Sequence, residues 1–270
     1  MAPALVVGGC MLALLTSGAG AQDPVRPGTR PTVAIMDFDN GALGRQAEFE
    51  NFGKGIAGML ITELGANPSI QVVDRAKLQT VFAEQDLSRT DRIDPETAIR
   101  VGRTLGVRHM IFGVFIVDQR GRMRLDARAV NVETSEVEYT ATKTDDADDL
   151  FQIVTALAVE MNKGMKLPQA PPRAVPASIE RTAPPARLNA VRLYAAAQTE
   201  ADKGNRKEAA KLCREALALV PDYAAVKDLL SQLEANGQSS VLTVMKRSAS
   251  HEQVRVMDSV DFDAPLRLSR

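Results

Sequence analysis

Four groups of side chains have types and spacing that invite a chemical reading. Asp37 and Asp39 stand two apart at the end of an apolar run. On a strand, such carboxylates share one side and could begin a cation site. A metal needs further ligands, and no neighbouring His or Glu presents itself, so turn-capping at a strand end is the expectation. Asp145, Asp146, Asp148 and Asp149 form an acidic run. A calcium loop would space its ligands around a glycine, whereas this run is expected to open a helix, where the dipole and free N–H groups favour negative charge. Gly53-Lys54-Gly55 suggests a phosphate loop but lacks its spacing and its Lys-Ser/Thr ending. Gly55 and Gly58 are expected instead to let a helix pack closely. Arg75 follows Asp74 at a strand-to-helix junction. It is read either as a contact to a neighbouring subunit or as a local salt bridge or cap.

Composition supplies little else for catalysis. The 270 residues contain two histidines, His109 and His251, two cysteines, Cys10 and Cys213, and no Trp. No Ser/His/Asp or Cys/His set is assembled. His109 opens an apolar run and is expected to be a structural polar residue. No catalytic, cofactor-binding or metal-ligating residue is assigned, and no cofactor is expected. Lys and Arg total 33 against 34 for Asp and Glu, a net charge of −1. That balance argues against nucleic acid as a partner, since such binding needs a clustered positive excess. The pattern favours binding, scaffolding or assembly over an enzyme.

The elements that must position these groups alternate between strand and helix signals. Residues 32–38, 70–73, 109–117, 123–132 and 137–141 read as strands, with 109–117 the most apolar of them and so central. Helices are expected at 51–64, 75–87, from Asp94-Pro95 to Gly106, and at 146–165. Leu125, Ala127 and Ala129 alternate with Arg124, Asp126 and Arg128, as in a sheet with one wet face. The apolar parity shifts at Val130 and Val132, the mark of a bulge. The expected order is β-α-β-α-α-β-β-β-α over residues 30–166, a layered α/β domain.

Two flanking regions complete the organisation. Residues 1–21 carry no charge, hold an apolar stretch from Ala4 to Leu15, and end Ala19-Gly20-Ala21. They read as an export signal cleaved before Gln22. Val7-Gly8-Gly9-Cys10 makes Cys10 the alternative candidate, for lipidation, although only nine uncharged residues precede it. Residues 167–187 hold six of the 14 prolines and read as a semi-rigid linker spanning up to roughly 65 Å, joining neither helix nor sheet. Residues 188–236 follow as a small all-α module. Leu193, Ala196, Ala197, Gly204, Ala209, Cys213, Ala216 and Pro221 occupy tetratricopeptide spacing, with an Asn205-to-Glu208 capping box and a third helix from Asp222 to Ala235. The tail, 237–270, is either a flexible terminus or an added strand pair.

The first domain resembles the CsgG/HfaB-like family of curli production assembly/transport proteins. Three segments carry the resemblance: Val33-Ala34-Ile35-Met36-Asp37-Phe38; Val72-Val73-Asp74-Arg75-Ala76-Lys77-Leu78 through Glu84-Gln85; and Gly102-Arg103-Thr104-Leu105-Gly106-Val107-Arg108 through Gly113. The resemblance covers residues 32–164, and the Asp-Arg to Glu-Gln stretch is its most specific part. The resemblance implies a fold like the TolB N-terminal domain, a periplasmic or outer-membrane-associated location, self-association, and protein partners in the envelope. It makes Arg75, Glu84 and Gln85 the candidate subunit or partner contacts. Pore-forming members add two membrane hairpins, each strand needing about 9–11 residues with an apolar outer face. The three candidates here, 109–117, 123–132 and 136–144, are all needed for the core sheet. The expectation is therefore a non-catalytic assembly or secretion accessory protein. An export-channel subunit and a regulator of a cell-wall synthase are the alternatives.

Overall fold

The computed structural model of the chain describes residues 30–42, 44–84, 94–171 and 174–235. The 1–21 signal, Cys10, Gln85 and the 237–270 tail lie outside the described residues.

The apolar runs build a six-stranded sheet. Its strands are β1 (Thr32–Ile35), β2 (Asp39–Asn40), β3 (Gln71–Val72), β4 (His109–Val117), β5 (Arg122–Asn131) and β6 (Glu136–Asp146). The order is β3-β1-β4-β5-β6, with β2 also on β4. Strands β1, β2 and β3 run parallel to their partners, and β4-β5-β6 form an antiparallel meander. The most apolar run is indeed central. Strand β2 was not expected, because two residues carry no periodicity. It resumes the pairing on β4 that β1 leaves at Ile35, and the interruption between them contains Asp37.

The sheet separates two cores by its period of two. Val33, Ile35, Ile111, Phe115, Met123, Leu125 and Ala127 face helices α1 (Phe52–Gly65) and α4 (Leu150–Gly164). Ala34, Met36, Met110, Phe112, Val130 and Val132 face α2 (Arg75–Glu84) and α3 (Pro95–Leu105). The α3 boundaries follow from capping. Asp94 Oδ1 accepts from the Thr97 N–H, Pro95 sits in the first turn, and Gly106 ends the helix at φ +65°. The bulge expected at Val130 falls there, and α3 covers the opposite face at that end of β5. A register shift does occur between Ala129 and Val130, with Glu138 the extra residue on β6.

The helical part departs most from expectation. Residues 167–187 are not an extended spacer. Leu167 is buried, the Asn67 side chain donates to the Pro168 carbonyl at 2.7 Å, and α5 (Ala177–Arg181) buries Ile179. Pro184 and Pro185 open α6 (Pro184–Asp202) instead of excluding a helix, since the first helical N–H groups have no acceptor to lose. Helix α6 pairs with α7 (Arg206–Leu219), and α8 follows at residues 224–235. Gly204 turns the hairpin at φ +81°. The expected capping box is absent: the Asn205 amide donates to Glu200 and makes no cap bond.

This helical layer continues the α1/α4 core. Ala190, Val191, Tyr194, Cys213 and Val226 belong to the same buried cluster as the sheet. Phe151 of α4, Tyr223 and Tyr194 meet in series, edge-to-face and then tilted, at 4.9 and 5.3 Å between centroids. Each such pair adds about 0.5–1.5 kcal/mol beyond its buried area.

Glycines set how closely the layers approach. A Cβ on Gly53 would lie 1.7 Å from the Phe38 carbonyl oxygen, and one on Gly58 would lie 2.2 Å from the Tyr194 hydroxyl. Gly55 faces Val191 and Ala195 of α6. The expected close packing at Gly55 and Gly58 is thus the seat of the helical layer. Gly53→Ala must displace backbone and is expected to destabilise the chain by about 3 kcal/mol, the upper end for overpacking, measured by urea unfolding. A loss below about 0.5 kcal/mol contradicts this packing.

Candidate functional site

The charged groups singled out in the sequence meet where the α/β domain touches the helical layer. Arg75 is the first residue of α2, and Asp37 lies in the gap between β1 and β2. The Arg75 Nε and Nη2 groups donate to the two Asp37 oxygens at 3.0 and 2.8 Å. Its Nη1 and Nη2 also donate to Asp202, at the end of α6, at 2.6 and 3.2 Å. Lys54 of α1 completes the set, its Nζ donating to Asp202 at 2.7 Å. Two basic and two acidic side chains from α1, the β1–β2 gap, α2 and α6 form one network.

Its geometry decides its energetics. The Arg75 side chain is only 11% exposed. Burial works against its charge, but Asp37 and then Asp202 more than offset this and raise its pKa further. Burial pushes the Asp202 carboxyl up, yet Arg75 and Lys54 together hold it below its ordinary value. The planar guanidinium satisfies two carboxylates at once, which a lysine could not.

Neither a cap nor a pair with the adjacent Asp74 forms: the ion pairs of Arg75 close within the chain but reach Asp37 and Asp202, 38 and 127 residues away. Its donors are directed at Asp37 and Asp202. Glu84 ends α2 and is exposed. Asp37 serves Arg75. Lys54, between its glycines, serves Asp202. His109 is buried on β4 and its Nδ1 meets Glu138, which the β5–β6 register shift brings into line. Cys213 is buried, and burial pushes its thiol up to about 12, which keeps it protonated at neutral pH.

The acidic run also differs from expectation. Asp145 and Asp146 end β6, a single 3-10 turn follows at Ala147–Asp149, and only then does α4 begin. Asp149 sits at the α4 N-cap position but makes no side-chain cap bond. It lies 3.7 Å from Arg187. Oxygens of Asp145, Asp146 and Asp149 come within 4.8 Å of one another. They lie on the surface, apart from the Arg75 network.

A cleft of about 870 Å³ opens beside Arg75. One wall is the α2 stripe Ala76, Gln79, Thr80 and Ala83, and the other is the α8 stripe Ala225, Asp228, Leu229 and Gln232. Both follow helical i, i+3, i+4, i+7 spacing. Val72 and Val73 of the sheet edge and Gln198 of α6 reach its floor. Sequence reasoning missed Asp202, Lys54 and Gln198 as members of this region. No local pattern announces them, since Asp202 lies 127 residues from Arg75.

Comparisons with known proteins bear on the α/β domain. Residues 16–117 match the family model described as "Curli production assembly/transport component CsgG". No curated protein matches the chain. Among solved structures, the LpoB C-terminal domain from Salmonella enterica is 14% identical, with a TM-score of 0.33, over 43% of this chain and 83% of that one. A PelC dodecamer from Paraburkholderia phytofirmans is 15% identical, with a TM-score of 0.32, over 52% and 89%. TolB from Acinetobacter baumannii is 12% identical, with a TM-score of 0.35, over 52% and 29%.

Replacing Arg75 by Met leaves Asp37 without its cation and Asp202 with Lys54 alone, and is expected to cost about 1–3 kcal/mol in chemical denaturation, because both carboxylates keep access to water. Arg75→Lys is expected to recover only part of it. Because the Asp202 pKa is depressed, its stabilising contribution is complete above the unfolded carboxylate range. It is lost as pH falls through the lower folded value. Asp202→Asn should therefore flatten the acid limb of the stability–pH curve. An unchanged limb refutes the assigned pairing.

Proposed function

We propose that this chain, whose residues 16–117 carry the match to the curli production assembly/transport CsgG family, is a non-catalytic accessory protein of the cell envelope. It acts by self-association and by binding protein partners in the periplasm or at the outer membrane. The charged cluster supports this reading, because its members neutralise one another and hold the layers together. The hairpin α6–α7 with α8 is read as one tetratricopeptide-like repeat and a capping helix, the second of two domains.

The observation that carries the reading is the outer edge of β6. This strand has 11 residues, and among the described residues its only sheet partner is β5. The Ala147 N–H donates to the Gly121 carbonyl on the β5 side. By alternation, the backbone groups of Thr142, Thr144 and Asp146 point outward. The Asp146 N–H is taken by Asp145 Oδ1 at 2.9 Å, and the outward groups of Thr142 and Thr144 remain as a template for strand addition by another chain. Val137, on the same strand, is among the few large apolar side chains left exposed, at 47%. Strands β4, β5 and β6 all serve the central sheet, which favours an accessory role over a channel subunit built from membrane hairpins.

The edge makes a direct prediction. Thr144→Pro removes an outward N–H and spares the bonds to β5. Light scattering should show the wild-type chain as an oligomer and the variant shifted to lower mass, with unchanged circular dichroism. A wild-type chain that stays monomeric, with no envelope protein captured by cross-linking in cells, overturns the proposal. Conductance in planar bilayers would overturn it in favour of a channel.

A further inference from the structure

The cleft beside Arg75 is lined by polar groups that the described residues leave unsatisfied. Gln198 lines it and is only 4% exposed, yet its Oε1 has no hydrogen-bond partner among the described residues. The Nε2 end of the same amide is turned to Gly58 and the Tyr194 hydroxyl. A buried acceptor of this kind is costly unless an N–H reaches it. Strand β3 adds a second unmet pair. Among the described residues its only strand partner is β1. The Gln71 N–H donates to the Pro31 carbonyl and the Val73 N–H to the Val33 carbonyl. Both bonds run to the β1 side, so the intervening Val72 N–H and C=O point away from β1. Val72 lines the cleft as well. The charge of the lining is unbalanced too. Asp74, Asp202 and Asp228 line it against Arg75 alone. Arg75 is directed at Asp37 and Asp202, and Asp74 and Asp228 form no ion pair among the described residues. Asp74 accepts from the Ala76 N–H at 2.8 Å and Asp228 from the Thr62 hydroxyl at 3.0 Å.

We infer that the cleft binds an extended segment of a partner protein that carries lysine or arginine, laid as a short strand beside β3. Three features select this occupant. Val72 offers an N–H and a C=O in the same direction, and a peptide backbone supplies an acceptor and a donor at the matching spacing. The Gln198 oxygen accepts from a further N–H of the segment. Next, the walls carry Ala76 and Ala83 on α2 and Ala225 on α8, so a backbone can come close while its side chains keep room. The volume, about 870 Å³, lies near the upper end for ligand sites. Lastly, Asp74 and Asp228 present negative charge to a cation of the segment. Charges so placed steer and select a partner more than they add affinity. The inference deepens the partner-binding part of the proposed function and rests on it for the existence of such a partner, but it uses a different edge from β6.

A random heptapeptide library displayed on phage and selected on the immobilised full chain tests it. Recovered peptides should be rich in Lys or Arg and poor in Asp and Glu. Binding of their synthetic forms should slow exchange of the Val72 amide at least about tenfold. Thr80→Trp fills the groove from the exposed side of α2 and should weaken binding at least about tenfold. Asp228→Asn keeps an acceptor for Thr62 and should weaken binding about threefold while reducing its salt dependence, which decides the matter if Thr80→Trp misfolds. Thr144→Pro should leave peptide binding unchanged, so failure of the β6 reading and failure of this one are told apart. Recovery of no peptide, or of acidic peptides, overturns the inference. So does a bound peptide that leaves Val72 exchange unaltered, or that binds Thr80→Trp and Asp228→Asn as well as the wild type. Peptide binding that disappears as the chain self-associates assigns the groove to a second copy and overturns it too.

Discussion

The placement of Arg75 between Asp37 and Asp202 is the constraint on which the arrangement of layers depends. One guanidinium joins the gap in the first parallel strand to the end of a helix far along the chain. Half-buried carboxylates gain from a cation that satisfies them, and the more deeply buried guanidinium is tolerable there because both carboxylates are present. The network therefore acts as a register pin: α6 can slide or rotate on α1 only by exposing unmatched charge. The glycines of α1 add the complementary steric condition, since they allow approach in one place alone.

Apolar burial supplies the driving force and the ion network supplies the choice. The Phe151, Tyr223 and Tyr194 rings and the α1/α4 core would favour many ways of covering the same face. Hydrophobic contact is roughly proportional to area and indifferent to direction. Hydrogen-bonded charge pairs are directional, so they select one covering. The helical layer also forms one wall of the cleft beside α2. Among the described residues, β6 and β3 are the outer strands at opposite ends of the sheet.

Much of the fold was legible in the sequence because its signals are local. Alternation gave the wet face of β5, and Asp94-Pro95 with Gly106 bounded α3 through a real cap and a left-handed glycine. The glycines at 55 and 58 announced close packing. The prolines of 167–187 misled: their composition describes a free chain, whereas here Ile179 is buried and Pro184-Pro185 starts a helix. The acidic run misled in the same manner, for two of its residues prolong β6 before the helix begins.

Sequence by itself determined the element types, the central place of β4 and the scarcity of groups for catalysis. These depend on residues near one another in the chain. It also marked Arg75 and Asp37 as charged residues needing an explanation. Only the tertiary structure decided that they explain each other, that Lys54 and Asp202 belong with them, and that the helical hairpin lies on α1. Such pairings join residues up to 148 positions apart. A buried charge constrains its partner by distance and dielectric, and neither leaves a trace in sequence spacing.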